Sequence, residues 1–226
     1  MNNIAGNFNQ ILEQAKEGGT SLRILHGIDR FSENLDFDNL GLTRRELAEL
    51  VRQTAGDFER ENIEVEVSAK LKEGITYHSL RFPKLLFDLK ITTNPKEKLM
   101  IKVDYSNQWR GQKTETALLS KYGFIEQIVT NPLSQIMVQK LAAYVNRKQT
   151  QPRDMYDIVW LYSRGARPDR EFMRVNRMTD VIARAKEKFS REGATEAVVR
   201  RLRPFLFDER EIRKVKLLGD VLKRLE

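Results

Sequence analysis

The hydrophobic pattern of this chain changes period at Asn131-Pro132, and that break restricts the folds open to it. Before it, apolar and polar residues alternate in short runs, the two-residue repeat of strands. After it, apolar residues recur at three- and four-residue steps, the repeat of helices packed on one side. The 226 residues suffice for one large domain or two small ones with real cores. The fold class expected is therefore α+β: a mixed sheet with flanking helices over residues 1–130, then an all-helical C-terminal domain over 131–226.

Within the first part, residues 7–17 read as a short helix with Phe8, Ile11, Leu12 and Ala15 on one face, stopped by Gly18-Gly19. Thr20 then caps a second short helix over 21–26, which Gly27 ends. Residues 31–38 alternate as a strand, with Leu35 and Phe37 on one face and Asn34, Asp36 and Asp38 on the other. Thr43 opens a helix to about residue 62, with Glu46 in the capping-box position. Strands are expected at 63–71, 77–81, 85–92 and 99–106; in the last, Leu99, Ile101, Val103 and Tyr105 alternate with Met100, Lys102, Asp104 and Ser106. In the second part, helices are expected at 133–147, at 155–163 and in about three segments after Pro168, the last spanning 209–225.

Composition removes whole classes of function. There is no cysteine, hence no disulfide framework, no thiolate nucleophile and no Cys-based zinc site. Two histidines, His26 and His78, are too few for most metal cages. No apolar run approaches the roughly 20 residues of a membrane span. The polar first ten residues lack the apolar stretch of a signal peptide, so a cytoplasmic address is expected. The net charge of +8 is uneven: residues 1–163 carry 22 basic and 21 acidic side chains, residues 164–226 carry 18 and 11. A basic C-terminal quarter, with Arg200, Arg201, Arg203, Arg210, Arg213, Lys214 and Lys216, suits a polyanionic partner such as RNA, or an acidic protein; it equally suits a solvated helical surface.

The chemistry resides in a glycine pair, carboxylates on one strand face, and another carboxylate on a later strand. Phosphoryl and nucleotidyl transfer needs hard oxygen ligands for Mg²⁺ or Mn²⁺ a few ångströms apart, which side chains at i and i+2 of one strand supply. Asp104 can add a third from a neighbouring strand. Gly18-Gly19 before a helix leaves backbone N–H groups free for phosphate oxygens. Each piece alone has a plainer reading, a turn or a solvated strand face; the order and spacing give the set its weight.

These segments are Gly18-Gly19-Thr20-Ser21-Leu22-Arg23 and Arg30-Phe31-Ser32-Glu33-Asn34-Leu35-Asp36-Phe37-Asp38. With them come Lys98-Leu99-Met100-Ile101-Lys102-Val103-Asp104, Gln139-Lys140-Leu141-Ala142-Ala143, and Arg147 followed by Arg153-Asp154-Met155-Tyr156-Asp157-Ile158. Over about residues 10 to 165 the chain resembles the AbiEii/AbiGii toxin family of the DNA polymerase β-like nucleotidyltransferase superfamily. The resemblance implies a nucleotidyltransferase core with a helical C-terminal domain, acting as the toxin of a toxin–antitoxin or abortive-infection pair. It implies an NTP substrate, a cognate antitoxin, and an acceptor hydroxyl on RNA (such as tRNA, as in relatives that extend its acceptor end) or on a protein. Carried over by position, Asp36 and Asp104 become metal ligands, and Gly18, Gly19 and Thr20 contact phosphate. Lys140 neutralises triphosphate charge, and Asp157 lies beside the site.

One position departs from the family pattern: Asn34 stands where Asp-x-Asp is usual. Asp38 compensates for it, or it is an introduced change that disarms a harmful activity, or the chain has kept NTP binding and lost catalysis. Loss of one anionic ligand from an otherwise intact site costs about 3 kcal/mol or more of transition-state stabilisation. Other candidates keep two readings. Lys140 borders the stripe Met137, Leu141 and Tyr144, and either binds phosphate or snorkels to water. Arg147 extends a phosphate-binding face, while Arg153, Asp154 and Asp157 form either a wall of the site or a structural ion-pair knot. Arg23 and Arg30 touch phosphate or pair with Glu33, and Tyr105 and Trp109 stack a base or fill the core.

Overall fold

The computed structural model describes residues 16–32, 34–38, 41–72, 75–106, 108–121 and 123–225. Two compact units emerge. The first comprises Met1–Thr20, Glu33–Gln108 and Thr116–Thr130; the second comprises Ser21–Ser32, Trp109–Glu115 and Asn131–Glu226. The sequence division at 130/131 is thus joined by two short segments from the N-terminal part that belong with the C-terminal residues.

The first unit is built on one mixed sheet of seven strands: β1 Lys16–Glu17, β2 Asn34–Asp38, β3 Glu66–Lys72, β4 Ile75–Phe82, β5 Leu99–Ser106, β6 Glu115–Lys121 and β7 Phe124–Thr130, ordered β3-β4-β5-β2-β1-β7-β6. β2 runs parallel to β5 and antiparallel to β1; β4 is antiparallel to both β3 and β5. The helix α1, Gly18–Ile24, follows β1 directly. The helix α2, Arg44–Arg60, begins in a full capping box: Glu46 N–H donates to the Thr43 hydroxyl, and Thr43 N–H donates to the Glu46 carboxylate. Its buried stripe Leu47, Leu50, Val51 and Ala55 follows the helical repeat. That stripe packs with Phe37, Leu80, Phe82 and Val103, the apolar side of β2, β4 and β5, into the first unit's core. Alternation therefore leaves Asn34, Asp36, Lys102 and Asp104 at positions on the sheet face that this core does not occupy.

The second unit is helical: α4 Leu133–Asn146, α5 Pro152–Ser163, α6 Arg170–Val175, α7 Val181–Glu192, α8 Glu196–Arg200 and, after two 3-10 segments (Arg203–Phe205 and Glu209–Leu217), α9 Leu218–Lys223. Between β4 and β5 lies a one-turn helix α3, Leu85–Asp88. The second core centres on Ile136, Leu141, Tyr144, Tyr156, Phe172 and Leu218. Among the described residues, no helix is long and apolar enough to cross a membrane.

Several sequence expectations change. The helix expected at 7–17 ends instead in strand residues Lys16–Glu17, whose backbone pairs with β2 and β7; its earlier residues lie outside the described ones. Gly18-Gly19 form the first turn of α1 instead of stopping a helix before it. The strand expected at 85–92 is α3, because Leu-Leu-Phe-Asp favours a turn of helix and Lys90 then takes a positive φ of 57°. β6 and β7 were not expected: consecutive apolar residues Ala117-Leu118-Leu119 hide the alternation, and only Leu119 of β6 is buried. The single helix expected at 209–225 is a 3-10 segment running into α9.

Candidate functional site

The candidate residues fall into two groups, one in each unit. In the first, strand register does the positioning. Asp36 pairs directly with Asp104 on β5, Asn34 with Lys102, and Asp38 with Ser106. Paired positions share a sheet face, and neighbouring strands lie about 4.8 Å apart. Two carboxylate positions 68 residues apart in sequence thus stand side by side. On the other side of Asp36, the antiparallel β1 pairs Glu17 with it. Positions 17, 36 and 104 therefore stand in one row of backbone register across three strands. Glu17 escaped sequence reasoning because it was read as the end of a helix; only the pairing of a two-residue strand reveals it.

The row continues through β4, where Tyr77 pairs with Asp104, to β3, where Lys70 pairs with Tyr77. One same-face row away Lys102 pairs with Ser79, and two rows away Arg81 pairs with Met100. Here the sheet face opposite the first core carries a groove of about 430 Å³ lined in part by Asn34, Lys70, Tyr77, Ser79, Arg81 and Lys102. Sequence reading assigned nothing to its three cations. Thr20 is buried, and its hydroxyl donates to the backbone carbonyl of Asn34, tying the start of α1 to β2.

The second group centres on Asp157 in α5. Its carboxylate receives two parallel bonds from Arg30, Nε to Oδ1 at 2.5 Å and Nη2 to Oδ2 at 2.6 Å. Lys140 Nζ lies 2.9 Å from the same Oδ2. Side-chain exposure is 1% for Arg30, 0% for Asp157 and 11% for Lys140. Burial pushes the Asp157 carboxyl up, but Arg30 and then Lys140 outweigh it and hold it below the usual carboxylate range. One turn away, Asp154 faces the opposite balance: burial dominates and raises it, against the pull of Lys140 and Arg147. Arg147 Nε stands 3.0 Å from Asp154 Oδ2, an ion pair without hydrogen-bond alignment. The knot reading of Asp154 and Asp157 thus has a geometric basis, with Arg30 as the partner that local sequence could not supply. Arg30 also donates to the Phe31 carbonyl.

Arg23 is stacked over Phe207 at 4.2 Å and near Phe31 at 5.4 Å, with a bond to the Arg30 carbonyl. Arg153 lies over Phe205. Trp109 packs on Phe172 at 5.4 Å in the second core. His26 is held below its usual pKa by burial and then by Arg164.

Comparison with known proteins bears on the fold and on the family. Among curated proteins, none matches the sequence. The structure is similar to that of JHP933 from Helicobacter pylori, with 18% identity and a TM-score of 0.57, covering 98% of this chain and 88% of that one. It is similar also to a candidate nucleotidyltransferase from H. pylori, with 18% identity and a TM-score of 0.55, covering 99% and 95%. At that identity the likeness bears on the fold alone. A family model described as "Nucleotidyl transferase AbiEii toxin, Type IV TA system" matches residues 17–218, from β1 to α9. The chain is accordingly a member of the AbiEii nucleotidyltransferase toxin family of type IV toxin–antitoxin systems.

Proposed function

We propose that this chain is a metal-dependent nucleotidyltransferase toxin that transfers a nucleotide from an NTP to a hydroxyl, on an RNA such as tRNA or on a protein. The observation that supports this reading is the direct pairing of Asp36 with Asp104 on adjacent parallel strands, within a family of nucleotidyltransferases. Carboxylates at such spacing are hard oxygen donors of the kind Mg²⁺ or Mn²⁺ requires, so the donor set fits a divalent ion. Asp36 and Asp104 hold it, with Asp38 and the amide oxygen of Asn34 as further oxygen donors. When bound, the ion neutralises charge on the triphosphate and the departing pyrophosphate.

The acceptor oxygen bonds to the α-phosphorus. The bond from that phosphorus to the bridging oxygen breaks, pyrophosphate leaves with the electron pair, and the hydroxyl proton passes to a carboxylate of the row. Gly18, Gly19 and Thr20 offer backbone N–H groups to phosphate; Thr20 does so with its hydroxyl already donated to Asn34. Lys140, Arg23 and Arg147 add positive charge for phosphate. Asp157 acts as a positioning residue, fixing the Lys140 ammonium from 2.9 Å. The reaction runs in the cytoplasm, and a cognate antitoxin restrains it.

The direct test incubates the protein with labelled NTPs, Mg²⁺ and total tRNA, alongside the Asn34→Asp variant. Label transfer by either supports the reading; transfer by neither, with both folded, refutes it. Asn34 favours one second reading, a protein that binds NTP without turning it over. Calorimetry that finds tight NTP binding, unchanged by Asn34→Asp and without turnover, favours that reading instead.

A further inference from the structure

We infer that Phe207 is a positioning residue for the Lys140 ammonium, acting on it through Arg30 and Asp157. This rests on the reading of Lys140 as a phosphate-binding group, which it deepens. Every residue in the chain of contacts belongs to the second unit.

Leu206-Phe207-Asp208 joins the 3-10 segments Arg203–Phe205 and Glu209–Leu217, and it lies along residues 30 and 31 as a strap. Arg30 and Leu206 form an isolated antiparallel bridge, and the Phe31 N–H donates to the Phe205 carbonyl at 2.7 Å. The Phe31 and Phe207 rings pack with centroids 4.1 Å apart. The Arg23 guanidinium covers the Phe207 ring at 4.2 Å and donates to the Arg30 carbonyl at 3.3 Å. Phe207 thus contacts two groups, Phe31 and Arg23, that fix the backbone at Arg30. Past the strap, Glu211 accepts a bond from the Tyr156 hydroxyl at 2.9 Å and pairs with Lys214. Tyr156 immediately precedes Asp157 in α5, so the same stretch of chain is pinned to the helix that carries the carboxylate.

The strap aims a guanidinium whose geometry leaves little tolerance. Arg30 gives Nε to Oδ1 and Nη2 to Oδ2 of Asp157, and Nη1 to the Phe31 carbonyl. Its planar fork meets both carboxylate oxygens only from one direction. Lys140 meets Oδ2, an oxygen that Arg30 already engages. An ammonium that shares its carboxylate with a second cation keeps attraction for a phosphate. Should the backbone at residues 30 and 31 shift, the fork misses and Asp157 turns to Lys140 alone. The ammonium is then answered by a buried partner, and its pull on phosphate falls. Phe207 lies outside the second core and is 47% exposed, so truncating it leaves that core closed.

The test is calorimetric binding of the α,β-methylene analogues of the four NTPs, with Mg²⁺, to the full-length chain. The proteins compared are the unaltered chain, Phe207→Ala, Phe207→Tyr, Lys140→Ala, and the Phe207→Ala, Lys140→Ala double variant. Lys140→Ala is expected to weaken binding about tenfold or more, and Phe207→Ala about threefold or more. Phe207→Tyr, which keeps the ring face, should restore the affinity. Once Lys140 is gone, Phe207→Ala should add no further loss, because both changes act on one group. If Phe207→Ala does not fold, Phe207→Leu takes its place: it keeps apolar bulk but offers Arg23 no ring. Affinity unchanged by Phe207→Ala, in a protein weakened by Lys140→Ala, overturns the inference alone. So does a loss of the same factor with and without Lys140, or a failure of Phe207→Tyr to restore binding. An unaltered chain that binds no analogue, or one that Lys140→Ala leaves unweakened, defeats the underlying reading of Lys140 and the inference with it.

Discussion

Neutralising Asp157 should destabilise the protein far more than breaking any of its exposed ion pairs. Asp157→Asn keeps the size of the side chain but removes the charge that answers two cations, Arg30 and Lys140, at 2.5–2.9 Å in a site that water hardly reaches. Removing one partner of a buried pair leaves an uncompensated charge and costs about 3–5 kcal/mol. An exposed pair such as Lys84–Glu64, with side chains 66% and 54% exposed, contributes only about 0–1 kcal/mol. For a chain of this length the buried loss corresponds to a melting-temperature drop of about 6–20 °C. The assay is urea denaturation of the unaltered protein, Asp157→Asn, Glu64→Gln, and a double replacement of Arg30 and Asp157 by Met and Leu. The double replacement should recover only part of the loss, because it removes the desolvation cost of Arg30 but leaves Lys140, 11% exposed, without its carboxylate. The pH dependence has a definite sign. The Asp157 carboxyl is held below its unfolded value by Arg30 and Lys140 against the opposing effect of burial. Its contribution is therefore present above the unfolded value of 3.8 and lost as pH falls through the folded one. A cost for Asp157→Asn of no more than about 1 kcal/mol, equal to that of Glu64→Gln, would refute the reasoning.

Three further outcomes follow from particular contacts. Thr43→Ala removes the hydroxyl arm of the capping box, leaving the residue-43 N–H to the Glu46 carboxylate, and should cost about 1 kcal/mol in denaturation, with faster hydrogen exchange confined to the first turn of α2; Thr43→Ser should retain most of it. His78 is buried with neither ring nitrogen bonded, and burial lowers its pKa below 6.5. The unfolded chain therefore takes up the proton first, and stability should decline as pH drops from 6.5 toward the folded value; His78→Leu should flatten that slope in pH-dependent melts. Asp36→Asn should reduce nucleotide transfer by about 100-fold or more while leaving the melting temperature within a few degrees, and a loss of less than tenfold would count against the metal-ligand role.

What could be read from the sequence divides by the range of the interaction. The capping box at Thr43, the face alternation of β2 and β5 and the helical texture beyond Pro132 are set by residues within a few positions of one another, and each has its counterpart in the structure. Local pattern failed where two conformations suit the same residues, as in Leu85–Asp88, or where alternation was blurred, as in Glu115–Lys121. It failed differently at the site. The spacing of Asp36 and Asp104 suggested shared work, but their pairing depends on β5 adding in parallel beside β2 after α2, β3 and β4 intervene.

The same distinction separates the charges that stabilise from those that remain for a partner. Arg30 and Asp157 are 127 residues apart, and no local pattern links them. Once paired, they are buried and satisfied, so their charge is spent on the fold. Lys70, Arg81 and Lys102 sit on three consecutive strands with ordinary strand-face spacing, and nothing in their own neighbourhood marks them. Net charge pointed to the last quarter of the chain, because counting weights every cation alike. Folding weights them unequally: cations bonded to a carboxylate, as Lys140 is to Asp157, lose most of their long-range field, whereas exposed cations with no ion pair among the described residues keep more of it.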